Sequence, residues 1–384
     1  MLFRSHNAWL SSSLPDRVTV NTFEPNGKWI AMSKLSIKTT LLASIALLSL
    51  ALVAFLARGA WTAWGTAEDT AEIVAAAEAT QDMFAALHNL RVERANVLRA
   101  LKSEAAQTGA PNTTNRKAAL AALDRAVAGL ATGGLRGGAA WSSTLADAQR
   151  RLVTLTAEAD AAATKAKSDR RSGIVEDYQS AANETIARLE KVSSAVAADQ
   201  KLKDALVDKM LDVKSIVWQT RNAFGDASVM LSNPLGGQPF PADGAKLYAV
   251  HVARGLETWK AAGEVVVGLD LPAYYKAAVE KAERDYLSKE VMGQQDEVIA
   301  SLAAGKTTRW DAVTWTDYIV PRLGSVLGVA EAALKVARER AETLRADALS
   351  SLRVYGALLV GALALARSEE HTSELQSQFR ISYA

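Results

Sequence analysis

The chain has 384 residues, of which 49% are hydrophobic and 6% aromatic, and its formal net charge is +2. This near-neutral balance, without a basic block, gives no reason to expect nucleic acid as a partner. The absence of cysteine excludes disulfides, thiolate zinc sites and cysteine nucleophiles. Alanine, leucine, lysine, arginine and glutamate dominate, and few β-branched or aromatic runs alternate, so the composition predicts an all-α protein.

The first long apolar stretch is Thr39–Ala57, nineteen residues without charge, proline or glycine. As a helix it would be about 29 Å long, close to the hydrocarbon thickness of a bilayer. Lys34 and Lys38 precede it, and Trp61 and Trp64 follow it, which favours a cytoplasmic N-terminal side and an aromatic belt on the far side. The alternative is a cleaved signal peptide, but the apolar core exceeds the usual length of about 7–15 residues. We therefore predict an uncleaved membrane anchor.

A second apolar stretch, Val354–Ala366, follows Arg353 and carries Tyr355 near its start. Its thirteen residues are fewer than the ~20 that a transmembrane helix needs, so a buried soluble helix is the alternative. The following tail, residues 367–384, reads RSEEHTSELQSQFRISYA, and fifteen of its eighteen residues look like a translated sequencing-library adapter. We interpret 354–366 as a truncated second transmembrane helix and 367–384 as an adapter-derived artefact.

The chain divides into five predicted segments. Residues 1–31 lack a helical or strand period and are interpreted as a mis-called or disordered N-terminal extension, before a compact start at Met32. Residues 32–58 are the cytoplasmic start and first transmembrane helix, and 59–353 form an extracytoplasmic helical sensor domain. The truncated second span and the tail complete the division.

Glycine- and proline-rich segments divide the sensor region into helices. The breaks are GAPNTTN at 109–115, TGGLRGG at 132–138 and SNPLGGQPFPADG at 232–244, with a further break near Asp199. The glycine-rich turn is not a phosphate loop, because no strand precedes it and no GK[ST] follows. We predict long antiparallel helices in two stacked four-helix-bundle-like modules, flanked by transmembrane helices.

This layout resembles the sensory half of methyl-accepting chemotaxis proteins, the transmembrane chemoreceptors of bacteria. LHNLRVERANVLRAL, from Leu87 to Leu101, is similar to the first helix of nitrate- and nitrite-sensing domains. WDAVTWTDYIVPRLGSVLGVAEAAL, from Trp310 to Leu334, is similar to the tryptophan-led final helix of the same group. Helical bimodular sensors, which bind small carboxylates, are equally compatible. The resemblance implies a homodimer in the inner membrane, with its sensor domain periplasmic or extracellular. It also implies that a chemotaxis histidine kinase and coupling protein are reached only through a C-terminal part beyond this sequence.

Arg94 is the first candidate for ligand binding. It falls in a stripe of leucines, at 87, 90, 98 and 101, where a core residue is expected. A buried guanidinium needs an anion, and its forked donors suit planar anions such as nitrate, nitrite or a small carboxylate. Arg91, one turn away, and Arg221, in VWQTRNAFGD, are further candidates. The alternative is an internal ion pair, or an arginine that reaches the solvent.

No catalytic site, metal site or cofactor is predicted. Outside the two terminal segments only His88 and His251 remain, and both are interpreted as surface histidines. Trp259 and Trp315 are interpreted as core residues. The predicted function is a membrane-anchored receptor for a small solute rather than an enzyme. The alternatives are the sensory half of a histidine kinase or cyclic-dinucleotide synthase, and a helical anchor or adaptor without a ligand.

Overall fold

The computed structural model describes residues 21–22, 30–31, 37–104, 106 and 113–381, without the side chains of 21–22, 30–31, 38, 42, 113 and 368–381. Almost all of these residues are helical, which confirms the all-α class. Besides helices and the turns that connect them, the described residues include a pair of two-residue antiparallel strands, β1 (Asn21–Thr22) and β2 (Ile30–Ala31), in the segment predicted to lack strands. Most of the predicted N-terminal extension and of the break at 109–115 lies outside the described residues.

Nine α-helices follow in the described part of the chain. They are α1 (Ile37–Lys102), α2 (Thr113–Thr132), α3 (Gly138–Ala163), α4 (Ile174–Asp199), α5 (Ala205–Leu235), α6 (Gly244–Val265), α7 (Ala273–Asp285), α8 (Lys289–Ala303) and α9 (Ala312–Ile381). A short 3-10 helix, Lys167–Asp169, lies between α3 and α4.

The predicted breaks near Asp199 and within 232–244 are confirmed, because α4 ends at Asp199 and residues 236–243 connect α5 to α6. Local chemistry explains the start of α5, where the Asp204 side chain accepts hydrogen bonds from the backbone N–H groups of Leu206 and Val207. The sequence pattern predicts one helix from Ala273 to about Ala304, but the structure divides this segment into two helices. The helix stops at Asp285 and restarts behind Ser288, whose hydroxyl caps α8.

The chain divides into two compact units. One unit is Thr66–Ala346, and the other combines Met1–Gly65 with Asp347–Ala384. Within Thr66–Ala346, helix contacts join α2 to α3, α3 to α4, and α5 to both α6 and α8. One continuous hydrophobic core runs through this unit; its largest fully buried side chains include Phe84, Leu87, Tyr178, Tyr286 and Trp315. The stacking of two four-helix modules stays a prediction.

The other unit contains the first part of α1 and the last part of α9. Its leucines and valines are largely exposed, including Leu48, Leu50 and Val360. Gly59 and Tyr355 lie in contact here, since a Cβ at 59 would be 2.7 Å from the Tyr355 ring. By length and composition, α1 and α9 are the two described helices that could cross a membrane, which suggests membrane association.

Candidate functional site

The buried stripe of α1 differs by one residue from the predicted one. Glu93, not Arg94, occupies the core position after Leu90, with only 3% of its surface exposed. Arg94 is half-buried at the edge of the helix interface, and so is Leu98. The prediction of Arg94 in the core was therefore wrong. The buried residues Leu87, Leu90, Glu93 and Val97 follow one another at steps of three or four, and a stripe drawn only through leucines passes over the glutamate.

Glu93 is neutralised by an internal ion triad. Arg116 of α2 donates from Nε to Glu93 at 2.5 Å, and its two terminal nitrogens bond Asp160 of α3. Burial raises the pKa of Glu93, while the bond and charge of Arg116 oppose that rise. Burial alone would lower the pKa of Arg116, but its hydrogen bonds to Asp160 and Glu93 raise it. Sequence reasoning missed this triad, which fully partners its arginine.

Arg94 bonds an amide rather than a carboxylate. Its Nη1 donates to Asn183 Oδ1 of α4 at 2.5 Å. Burial, and then the charge of Arg91, lowers the pKa of Arg94. The predicted alternative of an internal ion pair does not describe this side chain, because no described carboxylate lies within 4 Å of it.

Arg221 is the most deeply buried of the three predicted arginines, at 4% exposure. Its Nη2 lies 3.4 Å from His88 Nδ1, and its Nε is buried without a hydrogen-bond partner. No carboxylate in the described part of the chain lies within 4 Å of its guanidinium. Burial, with a further contribution from Arg91, lowers the pKa of Arg221 to about 9. The missing Cβ of Gly225 makes room for the side chain, since a Cβ there would be 2.9 Å from Arg221 Nη1.

His88 is not a surface residue as predicted. Burial and the charge of Arg221 lower the pKa of His88 to about 3. At neutral pH the ring is therefore uncharged, and its Nδ1 is available as an acceptor for Arg221. A contact with a neutral imidazole offsets only part of the cost of burying the guanidinium, because the imidazole carries no negative charge.

All three predicted arginines line one cavity. Its volume is about 80 Å³, and its walls are α1, α5 and α9. Arg91 is held there by an ion pair with Glu190 of α4, at 2.7 Å, and its guanidinium lies 5.6 Å from the centre of the Trp218 ring. Arg99 also lines the cavity. Sequence reasoning missed Arg99, although it lies eight residues, or about two helical turns, after Arg91 on the same face.

The cavity carries an excess of positive charge. Four guanidiniums line it, whereas Asp226 is the carboxylate in its wall and Glu190 is engaged by Arg91. Asp226 raises the pKa of both Arg94 and Arg221, but burial and arginine–arginine repulsion prevail. A volume of about 80 Å³ exceeds the ~30 Å³ of one water molecule and suits an anion of a few atoms. The arrangement can bind an anion, and none of the described residues that line it is a nucleophile hydrogen-bonded to a base.

The remaining residues singled out from the sequence are two tryptophans and one histidine. Trp315 is fully buried, as predicted, and Trp259 is partly buried against the core. His251 is half-buried. Among the residues with described side chains, no group of three or more His, Asp or Glu could hold a metal ion. Comparisons with family models, with curated proteins and with solved structures find no match to this chain.

Proposed function

We propose that the chain is the sensory half of a membrane-anchored receptor that binds a small anion in the arginine cavity. The observation that carries this proposal is Arg221, a buried cation without a carboxylate within 4 Å among the described residues. Leaving such a charge unpaired costs several kcal/mol, so a bound anion would remove a penalty already present in the fold. Arg91, Arg94 and Arg99 would supply further donors.

The position of the cavity supports a signalling role. Arg91 and Arg94 come from α1, Arg221 comes from α5, and Thr316 and Ile319 come from α9. A ligand there would touch both α1 and α9, the two helices that could cross a membrane. By binding one arrangement of these helices more tightly than the other, it would shift α9 relative to α1.

The proposal includes the inner membrane of a bacterium, a homodimeric assembly and a sensor domain on the far side of the membrane. An output through a chemotaxis kinase follows from the resemblance in layout. The alternative of an anchor without ligand would be favoured by a bundle that lacks a polar cavity near Arg94. The cavity beside Arg94 instead supports a receptor.

The test is thermal unfolding of the full chain in lipid nanodiscs, with nitrate, nitrite or acetate against sodium chloride of equal ionic strength. An anion at a hundredfold excess over its dissociation constant should stabilise the protein by about 2.7 kcal/mol. For a unit of this size, that corresponds to a rise in Tm of about 5 °C. Arg221→Met should lose the rise. It should also raise the Tm of the anion-free protein, because a buried charge is replaced by an apolar side chain of similar length.

Arg125→Ala is the matched control. This arginine is 60% exposed, pairs with Asp82 and lies outside the cavity, so its removal should leave the anion effect intact. Arg94→Ala should weaken the effect without raising the anion-free Tm. If Arg221→Met keeps the full rise, the anion binds elsewhere. If none of the three anions raises the Tm of the unsubstituted chain, the small-anion receptor is refuted.

A further inference from the structure

A second cavity, distinct from the arginine cavity, lies between α1, α4 and α5. Its volume is about 240 Å³. Polar and aromatic side chains line it together, and they include Glu190 of α4 and Lys214 of α5. Cavities with a few convergent polar groups are the usual sites for small molecules.

Lys214 is a buried cation without a counter-ion. It is 3% exposed, and its Nζ lies 3.3 Å from Ser193 Oγ and 3.5 Å from the Ser193 carbonyl oxygen. Its Nζ also lies 5.3 Å from the centre of the Phe84 ring. No carboxylate in the described part of the chain is within 4 Å of it. Burial lowers the pKa of Lys214 to about 8. Among the described residues, the Lys214 ammonium therefore contacts neutral oxygens and an aromatic ring, and no negative charge offsets the cost of its burial.

The other end of the cavity offers acceptors. Asn222 lies eight residues after Lys214 on α5, about 12 Å along the helix axis. Its Oδ1 is buried without a donor, and its Nδ2 lies 3.4 Å from Glu190 Oε1. The Glu190 side chain is 35% exposed, although Arg91 already donates to its Oε1. An additional donor, such as an ammonium group, could therefore bind both the Glu190 carboxylate and Asn222 Oδ1.

An apolar wall separates these two ends. Phe84 and Trp218 stack with their ring centres 4.9 Å apart and their planes 11° apart, and Leu87 lies beside them. A ligand that fills this cavity therefore meets a cation at one end, acceptors at the other and hydrocarbon between them.

We propose that this cavity binds a zwitterionic ω-amino acid, with its carboxylate against Lys214, its ammonium against Glu190 and Asn222 Oδ1, and its methylene chain along Phe84 and Leu87. This site goes beyond the proposed anion receptor. The two cavities share no lining residue, although the Arg91–Glu190 ion pair connects their walls.

The experiment compares three probes on the full chain in nanodiscs. 5-Aminopentanoate carries both charges, pentanoate lacks the amine, and pentylamine lacks the carboxylate. 5-Aminopentanoate should raise the Tm and bind at least tenfold more tightly by calorimetry than either half-probe. Lys214→Met should abolish 5-aminopentanoate binding while the response to nitrate persists. Arg221→Met should do the reverse.

Glu190→Gln keeps the shape of the side chain and separates a binding role from a structural one. It should weaken 5-aminopentanoate binding at least tenfold and leave pentanoate binding unchanged, a selectivity that general destabilisation would not produce. The proposal is overturned if 5-aminopentanoate fails to raise the Tm of the unsubstituted chain. It is also overturned if Lys214→Met or Glu190→Gln binds 5-aminopentanoate as tightly as that chain does. If Lys214→Met does not fold, the Glu190→Gln comparison decides alone.

Discussion

At the scale of single residues, the chain treats its buried cations in two ways. Arg116 is satisfied by two carboxylates, whereas Arg221 and Lys214 face neutral groups. A paired cation holds helices together, whereas a buried unpaired cation lowers the free energy of unfolding until an anion binds to it. This contrast is the physical reason for placing ligands at Arg221 and Lys214 and none at Arg116.

His88 should make the stability of the protein fall in mild acid. Burial and Arg221 lower its folded-state pKa to about 3, against about 6.5 for an unfolded histidine. Below pH 6.5 the unfolded chain binds a proton at His88, whereas the folded protein does not bind it until the pH approaches 3. Stability is therefore fully present above pH 6.5 and is lost as the pH falls toward 3. At pH 5 we expect a loss of about 1–2 kcal/mol from this residue.

His88→Asn offers the check, because asparagine keeps a short acceptor for Arg221 and does not titrate. Urea unfolding at pH 8 and pH 5 should show a smaller acid loss in the variant than in the unsubstituted chain. Equal losses in the two proteins would show that His88 is protonated as easily in the folded state as in the unfolded one.

The three predicted arginines could be found from sequence because they share helix faces in Leu87–Leu101 and around Trp218. That Arg221 lacks a carboxylate could not be predicted, since its surroundings come from helices far away in the chain. Lys214 was missed for the same reason. Nothing near it in sequence shows that it faces the Ser193 oxygens and the Phe84 ring.

At the scale of the helices, glycine and proline marked most of the predicted breaks, whereas the break near Asp199 was predicted without either residue. The connection from 236 to 243 was visible in the sequence because it is rich in both residues. The stop after Asp285 was missed because DYLSKE contains neither. There, Tyr286 is fully buried and packs on Phe224, with ring centres 4.7 Å apart, so tertiary packing accompanies the break.

Asp204 should stabilise the start of α5 through two separable interactions. Its carboxylate accepts from two backbone N–H groups and from Arg340 of α9, at 3.1 Å. Burial alone would raise the pKa of Asp204, but the Val207 N–H and Arg340 lower it overall. We expect Asp204→Ala to lower the free energy of unfolding by about 1–2 kcal/mol at pH 7.

Asp204→Asn is the matched variant, because asparagine caps helices well but cannot form the ion pair. It should cost less than 1 kcal/mol, roughly the contribution of a partly exposed ion pair. Since the folded-state pKa is lowered, the extra stability of aspartate should be present above pH 4 and lost in stronger acid. An Asn variant as unstable as the Ala variant would assign the whole effect to Arg340.

At the scale of the whole molecule, the charge pattern around the first apolar stretch predicts the orientation of the chain. Lys34 and Lys38 precede that stretch and Trp61 and Trp64 follow it, so the positive side should face the cytoplasm. The unit Thr66–Ala346, which contains both cavities, would then meet solutes outside the cell. A receptor for an external anion requires this orientation.

Single cysteines test the orientation cleanly, because the chain has none of its own. Ala242 and Lys306 are exposed, and cysteine at either position should react with a membrane-impermeant maleimide in intact cells. Cysteine at Ser33, before the apolar stretch, should react only after lysis. Protection at both 242 and 306 would place the unit in the cytoplasm and remove the basis for an external signal. If the labelled Ala242→Cys protein is instead found free of the membrane and shortened at its N-terminus, the stretch is a cleaved signal peptide.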